Sequence, residues 1–525
     1  MKFFNTAGPV VEEDHYMLDP LARIDLDELM MLIQQKKYFI LHAPRQTGKT
    51  SMLLALMEKI NRESDFHCLY LNIEPAQAAR ENVEAAMKCI LTDLAQALMD
   101  AFGDKELYDQ VRANMQESPF SMLQLALAAC SNAFSKPFVF LVDEIDALIG
   151  DTLISVLRQL RSGYQKRPSN FPQSIILCGV RDIRDYRIHA SSENEPVTGG
   201  SAFNVKAKSL RMGNFNEEEV KILLGRHTEE TGQKFTPEAQ QVIWNNTMGQ
   251  PWLVNALAYE VTWDMKANRD RSITITPEMV QQARENLILR RETHLDQLAD
   301  KLKEPRVHRV IAPILAGDDL SSEIPDDDVA YVYDLGLIEV RPSLKIANPI
   351  YREVIPRTLT WTTQITITQE LQWYQDQTTG KLDMSSLLKA FQQFYRENIE
   401  FWSQHYQYKE AGPQLLLQAF LQRVVNGGGR IDREYGLGSG RTDLLLVFPY
   451  GDGGIQRIVL ELKIRSGTRQ ATIAKALPQI TAYMDRCGSD EGHVVIFDQT
   501  SDSWEEKIFN EQTTFEGTPL KIWGM

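Results

Sequence analysis

Short apolar runs alternate with amphipathic stretches over the first 215 residues. The runs have the length and composition of buried strands, and the stretches between them have helical spacing. This alternation predicts a parallel sheet with helices on both faces. The predicted strands are 37–42, 67–73, 138–142, 174–178 and 203–207, and the predicted helices are 50–62, 76–102, 120–135 and 151–165.

Beyond residue 215 the pattern is first helical and then mixed. Helices are predicted over 216–231, 236–248, 251–267 and 277–303. Residues 306–357 indicate a small winged helix, and the threonine-rich residues 358–368 indicate a linker or an edge strand. The predicted winged-helix elements are a helix at 306–316, an acidic turn at 326–328, a helix ending at Gly336, and strands at 337–340 and 344–347. From residue 381 two helices are predicted, to 409 and over 413–425, followed by strands punctuated by glycines.

Composition narrows the class of protein. The formal net charge of −15 over 525 residues argues against wholesale coating of nucleic acid. Five scattered cysteines without CxxC spacing predict a reducing compartment and neither a zinc site nor a disulfide framework. The N-terminus lacks a signal-peptide core, and no apolar run approaches membrane-spanning length, so we expect a cytoplasmic protein without a membrane partner.

A phosphate-binding motif lies between the first predicted strand and its helix. From Gly48 onward it fits the P-loop pattern, in which successive N–H groups at a helix start surround an anion. Lys49 is predicted to reach the β- and γ-phosphates and Thr50 to bind Mg²⁺. Ala43 stands where the pattern has its first glycine, which a negative φ would permit. The predicted ATP-binding residues are Ala43, Pro44, Arg45, Gln46, Thr47, Gly48, Lys49 and Thr50.

A second motif supplies two acids at the end of the 138–142 strand. Asp143 is predicted to hold Mg²⁺ through water, and Glu144 to polarise the attacking water. A turn or a solvated strand end would explain either acid alone. Together the two motifs predict ATP and Mg²⁺ as cofactors and hydrolysis as the reaction.

These motifs and the segment around Pro251 carry a family resemblance. Gly249-Gln250-Pro251 resembles the Gly-x-Pro motif of STAND-type and related bacterial AAA-like ATPases, which implies that Pro251 packs near the base. Arg181 looks like their sensor arginine near the γ-phosphate, although a surface arginine remains an alternative. The resemblance covers about residues 1–357. For the winged helix, the acidic turn and the scarcity of Lys and Arg favour a structural or lid role over nucleic-acid contact.

A separate polar constellation lies near the carboxyl end. Because side chains alternate along a strand, Glu461 and Lys463 are predicted to share one face while Leu462 faces the core. A hairpin through the turn at 451–454 is predicted to bring Asp443 beside Glu461. Two carboxylates and the Leu462 carbonyl suit Mg²⁺ or Mn²⁺, and Lys463 suits a developing phosphate charge. A salt-bridged hairpin is the structural alternative.

This constellation resembles the PD-(D/E)xK nuclease superfamily over roughly residues 381–525. Asp443 matches the lone aspartate, and Glu461 and Lys463 match the (D/E)xK pair. The resemblance implies further roles for Gln479 on the following helix and Glu434 on the preceding strand. Thr442 replaces the usual proline.

The fold class expected is therefore α/β, with a P-loop parallel sheet, a helical lid and a winged helix, followed by a C-terminal α/β restriction-endonuclease-like domain. The predicted domains are 1–215 (P-loop ATPase core), 216–303 (helical lid), 304–360 (winged helix), 361–380 (linker) and 381–525 (nuclease-like).

Local charge favours a phosphate-bearing ligand for the last domain. Residues 423–475 hold nine Lys or Arg and five Asp or Glu, a balance of +4. Four aromatic residues could stack on bases, namely Tyr435, Phe448, Tyr450 and Tyr483, although such residues more often lie in a core. For Phe448 we predict the core. The first hypothesis is an ATP-regulated nuclease acting on DNA, with a role in defence against foreign DNA implied by the resemblance.

Two other functions stay open. One is a nucleotide-switched, STAND-like module whose C-terminal domain binds nucleic acid or protein without cleaving it. The other is an ATPase that acts on a protein client and carries a vestigial nuclease fold. The resemblance leaves the oligomeric state open, because AAA-like ATPases often assemble into rings whereas STAND types can be monomeric at rest. A homo-oligomer and an unidentified protein trigger are the candidate partners.

Overall fold

The protein, described here by a computed structural model, consists of two compact units. The first comprises residues 1–292, 330–339 and 347–350, and the second comprises residues 293–329, 340–346 and 351–525. The predicted five-part division stays a prediction. The structure describes residues 2–181, 206–290, 300–302, 304–316, 324–341, 343–359, 374–376, 378–405, 412–425, 429–435, 442–451, 454–489, 491–498, 500 and 503–525.

The first unit is built on a parallel sheet, as the sequence predicts. Two short strands, β1 (Phe3–Phe4) and β2 (His15–Tyr16), form a separate parallel pair. The main strands are β3 (Tyr38–His42), β4 (His67–Asn72), β5 (Phe138–Asp143), β6 (Ser174–Gly179) and β7 (Lys206–Arg211). Their order is β4-β5-β6-β3-β7, and every pairing is parallel. The carboxyl ends of β3, β5 and β6 therefore meet at one edge.

The helices of this sheet bury both of its faces. They are α1 (Leu26–Gln34), α2 (Lys49–Glu63), α3 (Val83–Phe102), α4 (Lys105–Ala113), α5 (Met122–Ala133) and α6 (Gly150–Ser162). Tyr38 and Ile40 pack in one apolar cluster with α3, α5 and α6, whereas Phe39 and Leu41 pack in another with α1 and α2. Burial on both faces explains why these strands read as continuous apolar runs.

Two of the predicted boundaries in the sheet region are wrong. The predicted helix 76–102 begins only at Val83, because the Asn82 side chain caps it and residues 74–79 form a 3₁₀ turn instead. The fifth strand runs to Arg211 rather than ending at residue 207, and its predicted positions 203–205 lie outside the described residues. As an edge strand, β7 carries partly exposed polar side chains, so no apolar run marks it.

The helical region that follows has clear capping signals. Its helices are α7 (Glu217–Thr231), α8 (Pro237–Thr247), α9 (Pro251–Tyr259) and α10 (Pro277–Arg290). Asn216 and Glu219 form a reciprocal capping box at the start of α7. The predicted helix 251–267 is shorter than expected, since α9 ends at Tyr259 and passes into a π-helical turn over residues 260–264.

The elements after α10 follow the predicted winged-helix order. They are α11 (Pro305–Ala316), α12 (Asp326–Asp334), β8 (Ile338–Glu339), β9 (Lys345–Ile346) and α13 (Pro349–Leu359). The acidic turn predicted at 326–328 is wrong, because these aspartates form the first turn of α12, where the helix dipole favours negative charge. Residues 358–359 end α13, and positions 360–368 of the predicted linker lie outside the described residues.

The second unit ends in a mixed six-stranded sheet. Its elements are α14 (Met384–His405), α15 (Gly412–Val425), β10 (Arg430–Tyr435), β11 (Thr442–Tyr450), β12 (Gly454–Ile464), α16 (Arg469–Cys487), β13 (Glu491–Phe497), α17 (Trp504–Lys507), β14 (Phe509–Phe515) and β15 (Thr518–Gly524). The order is β10-β11-β12-β13-β15-β14. β12, β13 and β15 run parallel, whereas the other pairings are antiparallel.

Helices cover this sheet on both faces. Leu460 and Leu462 pack against α14 and α15, whereas Val459 packs against α16. The alternation predicted for β12 is thus observed, with Leu462 in the core. Phe448 is buried as predicted, and Tyr483 is also buried, so the core alternative and not stacking holds for Tyr483. Within the described residues, no helix has the length and apolar character needed to cross a membrane.

Candidate functional sites

The loop from β3 to α2 curls around the Lys49 side chain. Gln46 and Gly48 have positive φ angles of 55° and 86°, and α2 starts at the next residue, Lys49. The buried Lys49 ammonium donates to the carbonyl oxygens of Ala43 and Pro44, each at 3.0 Å. A bound phosphate would offer this amine a charged acceptor in place of two neutral ones, beside N–H groups at the start of α2.

The rest of the loop is compatible with its sequence. Ala43 is not among the residues with positive φ, so a Cβ is tolerated where the usual motif has glycine. The Thr47 hydroxyl donates to the Pro44 carbonyl at 2.7 Å and ties the two ends of the loop together. Arg45 is exposed at the rim.

Asp143 lies at the end of β5 with its carboxylate fully buried. The Thr50 hydroxyl donates to Asp143 Oδ2 at 2.8 Å, which brings together the two predicted magnesium ligands. A hydroxyl beside a carboxylate is the hard-oxygen set that Mg²⁺ prefers, so these residues fit the ion. The Tyr70 hydroxyl also donates to Oδ2, at 3.0 Å. Sequence reasoning missed Tyr70, whose only signal is a phenol near the end of an apolar strand.

Glu144 is held in a conformation that few non-glycine residues adopt, with φ at 57°. Its N–H donates to Asp143 Oδ1 at 2.9 Å, which couples the two acids. Burial raises the pKa of Glu144, while the Lys49 charge lowers it and the Asp146 charge raises it further. The net rise makes this carboxylate a better proton acceptor than an exposed glutamate, as a general base requires.

Asp146 anchors the end of β6, and sequence reasoning missed it. Its Oδ1 accepts from the Val180 N–H at 3.1 Å. The next residue, Arg181, places its guanidinium 5.2 Å from the ring centroid of Tyr331. A sensor role for Arg181 stays a prediction, and the contact with Tyr331 accounts for its position.

A cavity of about 120 Å³ opens beside the P-loop. The N-terminal segment, Gln46, Gly48 and the start of α9 line it. Pro251 is buried at the first position of α9, and the Trp252 indole donates to the Thr6 carbonyl at 2.8 Å. The position predicted for the base of ATP is therefore a walled space that includes Pro251.

Arg23 and Gly249 shape this cavity. The Arg23 guanidinium donates to the Gly213 carbonyl at 3.2 Å and lies 4.9 Å from the Phe215 ring centroid, and burial lowers the pKa of Arg23 to about 10. Gly249 has a φ of 71°, and a Cβ there would collide with the Phe215 carbonyl oxygen. Glycine in this motif therefore lets the backbone pass close to Phe215.

The last turn of α12 lies against the nucleotide-binding edge. Asp334 Oδ1 is 3.5 Å from His42 Nδ1 at the end of β3. Arg211 donates to the hydroxyl of Tyr333 at 3.0 Å and to its carbonyl at 3.2 Å. A Cβ at Gly336 would lie 2.5 Å from Pro44 Cγ. The sequence indicates a lid here but not these partners.

Three acidic positions form one row across the C-terminal sheet. In the register of β10, β11 and β12, Glu434 pairs with Asp443, and Asp443 pairs with Glu461. Directly opposed residues share a face of a sheet, with Cβ atoms about 5 Å apart. The hairpin predicted from the sequence therefore aligns its acids as expected. The side chains of Glu434 and Asp443 lie outside the described part of the chain.

Glu461 is a fully buried carboxylate at the centre of this row. Lys463 Nζ forms an ion pair with Glu461 Oε1. Within the described residues, Glu461 Oε2 has no hydrogen-bond partner, and neither has the buried Oε1 of Gln479 on α16. Buried acceptors without donors are costly, so both oxygens fit a cation or a water as a further partner.

Metal binding at this row is not visible in the described side chains alone. Among them, no group of three His, Cys, Asp or Glu is close enough to hold an ion. The row supplies three acids only when Glu434 and Asp443 are included, so their ligand roles, and that of the Leu462 carbonyl, stay predictions.

Comparison with known proteins gives information about the P-loop site. Residues 32–186 match the sequence profile of the AAA domain, a span that includes the P-loop, Asp143, Glu144 and Arg181. This part of the chain is an AAA-type P-loop ATPase domain. ATP and Mg²⁺ as cofactors follow at that general level. No curated protein matches the chain.

Several solved structures are similar to part of this chain. A Walker-type ATPase of Pyrococcus abyssi is 15% identical, with 67% of this chain and 99% of that chain covered and a TM-score of 0.46. Cdc6p of Pyrobaculum aerophilum is 14% identical, with 64% and 93% covered and a TM-score of 0.35. The RuvB Holliday junction branch migration motor of Thermotoga maritima is 12% identical, with 64% and 99% covered and a TM-score of 0.34. Likeness at this level says nothing about substrate.

Proposed function

We propose that the protein is an ATP-regulated, metal-dependent nuclease with DNA as its substrate. The observation that carries the proposal is the buried Glu461 carboxylate, placed in register with Asp443 and Glu434 and next but one to Lys463. A use in defence against foreign DNA belongs to the same proposal, on the resemblance to fused ATPase–nuclease proteins.

The ATPase half follows from the first site. Lys49 binds the β- and γ-phosphates, and the pocket beside Pro251 holds the base. Glu144 accepts a proton from the attacking water, aided by its raised pKa. Thr50 and Asp143 would hold magnesium, whose charge offsets that of the phosphates.

The proposed nuclease site rests on the free-energy cost of burying the Glu461 carboxylate, which a bound metal ion would reduce. An isolated buried carboxylate is unfavourable by several kcal/mol, and a single lysine compensates it in part. Asp443 and Glu461 would together hold Mg²⁺ or Mn²⁺, which supplies Lewis acidity and a water of lowered pKa. Gln479 Oε1, buried and without a hydrogen-bond partner in the described part of the chain, would accept from that water.

Lys463 and the surrounding charge suit a phosphodiester. Lys463 lies on the same face of β12 as Glu461 and would stabilise the charge that develops on the phosphate. The +4 balance over residues 423–475 gives an otherwise acidic chain a local region that attracts a nucleic-acid backbone.

Regulation would act through α12. Tyr333 and Asp334, in its last turn, contact Arg211 and His42 at the nucleotide edge. Residues 326–329 of the same helix belong to the second unit and residues 330–334 to the first, so the covalent chain connects the two. A nucleotide that displaces the last turn would therefore act on the helix as a whole.

One observation favours a binding module that does not cleave. The ion pair between Glu461 and Lys463 offsets part of both buried charges without any metal. In that case the domain would retain a phosphate-bearing or protein partner and ATP would switch the binding. Divalent metal dependence separates this function from cleavage.

The test is a cleavage assay with plasmid DNA, single-stranded DNA and RNA, with Mg²⁺ or Mn²⁺ and with or without ATP. We expect DNA cleavage that needs the metal and is changed by ATP. Lys463→Ala should reduce the rate by about 100-fold or more, as for loss of a group that stabilises transition-state charge. Lys49→Ala should remove only the response to ATP.

Lys389→Ala is the matched control, because Lys389 is an exposed lysine on α14 outside the acidic row. It should cleave like the unaltered protein. Equal cleavage by the Lys463→Ala and Lys389→Ala proteins would refute the proposed site. Metal-dependent retention of DNA without cleavage would support the binding module.

A further inference from the structure

A second cleft lies at the other end of the C-terminal sheet. Its volume is about 700 Å³, and it opens where β12, β13 and β15 begin. Glu461 and Lys463 lie near the opposite end of β12, so the cleft is separate from the acidic row. All residues that line it belong to the second unit.

A chain of buried hydrogen bonds leads to one wall of the cleft. The Trp523 indole can only donate, and it donates to His493 Nδ1 at 3.0 Å. The neutral ring must then carry its proton on Nε2, which lies 3.0 Å from Glu491 Oε1 and donates to it. Gln456 donates to Glu491 Oε2 at 3.2 Å. Trp523 therefore fixes the tautomer of His493, and His493 and Gln456 together hold the Glu491 carboxylate.

Glu491 keeps its charge in this setting. Burial alone would raise its pKa, but the bonds from His493 and Gln456, with the Lys521 charge, hold the pKa below its usual value. Burial lowers the pKa of His493, which stays neutral. Each oxygen of Glu491 accepts one bond in this network, and a carboxylate oxygen has capacity for a second donor.

Three cations line the same cleft. They are Lys381, Arg457 and Lys521, against the single carboxylate of Glu491, so the lining carries a charge of about +2. Arg457 is exposed and forms no ion pair with any residue that the structure describes. Lys521 donates to Ser385 Oγ at 2.5 Å, and Lys381 lies 4.8 Å from the Tyr450 ring centroid.

A purely structural explanation covers only part of this arrangement. The Gln456 side chain also accepts a hydrogen bond from the Leu382 N–H at 2.8 Å and donates one to the Leu382 carbonyl at 3.1 Å. These two bonds hold the segment before α14 in place. The Trp523–His493–Glu491 chain can stabilise the strand ends in the same way. Such a role needs none of the three cations that line the cleft.

We propose that this cleft binds a phosphorylated sugar, such as the ribose phosphate of a nucleotide. The phosphate would lie among Lys381, Arg457 and Lys521, and a sugar hydroxyl would donate to Glu491. A sugar phosphate carries both a phosphate for the cations and a hydroxyl for Glu491, whereas inorganic phosphate carries no sugar hydroxyl to donate to the carboxylate. The proposal does not depend on nucleic-acid cleavage at the acidic row.

The test is calorimetric titration of the full-length Lys49→Ala protein, so that the P-loop does not compete for phosphate. The probes are ribose 5-phosphate, inorganic phosphate and ribose. We expect ribose 5-phosphate to bind more tightly than phosphate, and ribose to give no measurable heat. Arg457→Gln and Lys521→Gln should each weaken ribose 5-phosphate binding about tenfold, the typical loss for one charged hydrogen bond.

Two controls keep the test decisive. Lys389→Gln removes an exposed cation outside the cleft and should leave the affinity unchanged. Glu491→Gln keeps an acceptor for His493 and should weaken ribose 5-phosphate but not inorganic phosphate. Equal affinity in the Arg457→Gln and Lys389→Gln proteins, or no heat with any probe, would overturn the proposal.

Discussion

Tyr70 tests whether the orientation of Asp143 matters for metal binding. Its hydroxyl and that of Thr50 donate to the same oxygen, Asp143 Oδ2, at 3.0 and 2.8 Å. Tyr70→Phe removes one donor and leaves the ring in place. A hydrogen bond to a charged group contributes about 1.5–3 kcal/mol, and loss of a residue that orients a metal ligand typically costs about 10–100-fold in metal affinity.

The assay is the ATPase rate as a function of Mg²⁺ concentration. For Tyr70→Phe we expect half-maximal activity at about 10–100-fold more Mg²⁺, with most of the maximal rate recovered at saturation. Tyr38→Phe is the matched control, because its hydroxyl donates to the Pro172 carbonyl at 3.3 Å in the same sheet, away from the metal ligands. An unchanged Mg²⁺ requirement in Tyr70→Phe would refute the reasoning.

Three further changes probe the first unit. Burial raises the pKa of Glu144 above its ordinary 4.5, so its carboxylate takes up a proton at a higher pH than an exposed glutamate does. As the pH is lowered, the ATPase rate should therefore begin to fall before pH 4.5 is reached, and a flat pH–rate profile would contradict this. Gly249→Ala should lower the melting temperature more than Gly232→Ala. Both glycines have positive φ, so alanine at either position costs about 1–2 kcal/mol of backbone strain, but the added Cβ collides with a neighbour only at Gly249. Asp146→Ala leaves the Val180 N–H without its acceptor and should destabilise the unit by about 1–3 kcal/mol in denaturant unfolding, whereas Asp146→Asn, which keeps the acceptor, should not.

Structural features that depend only on nearby residues in the sequence were predictable. The continuous apolar runs of β3 and β5 reflect burial on both sheet faces, which is a property of parallel sheets. Strand alternation was sufficient to place Leu462 in the core opposite Glu461. The turn at 451–454 was sufficient to bring Asp443 and Glu461 into register.

Features that depend on distant parts of the chain were not predictable. Asp334 contacts His42 across almost 300 residues, and nothing near either residue indicates the pairing. Trp523 and His493 look like ordinary core residues until β13 and β15 are placed side by side. Sequence periodicity reports the environment of a residue and not the identity of its neighbours.

Helix ends fall between these two cases. The start of α3 has a local signal, because asparagine is a preferred capping residue and Asn82 caps the helix that begins at Val83, inside the predicted range 76–102. The acidic residues 326–328 look like a turn by composition, and only the helix that follows shows them as its first turn.

Manganese binding measured by electron paramagnetic resonance tests the central claim most directly. In a Lys49→Ala, Asp143→Asn protein without nucleotide, the metal ligands of the first site are impaired. We predict that Mn²⁺ still binds, that Glu461→Gln abolishes this binding, and that Glu505→Gln, at an exposed acid on α17, does not. Absence of bound Mn²⁺, or binding that survives Glu461→Gln, would contradict a metal-dependent site at the row of Glu434, Asp443 and Glu461.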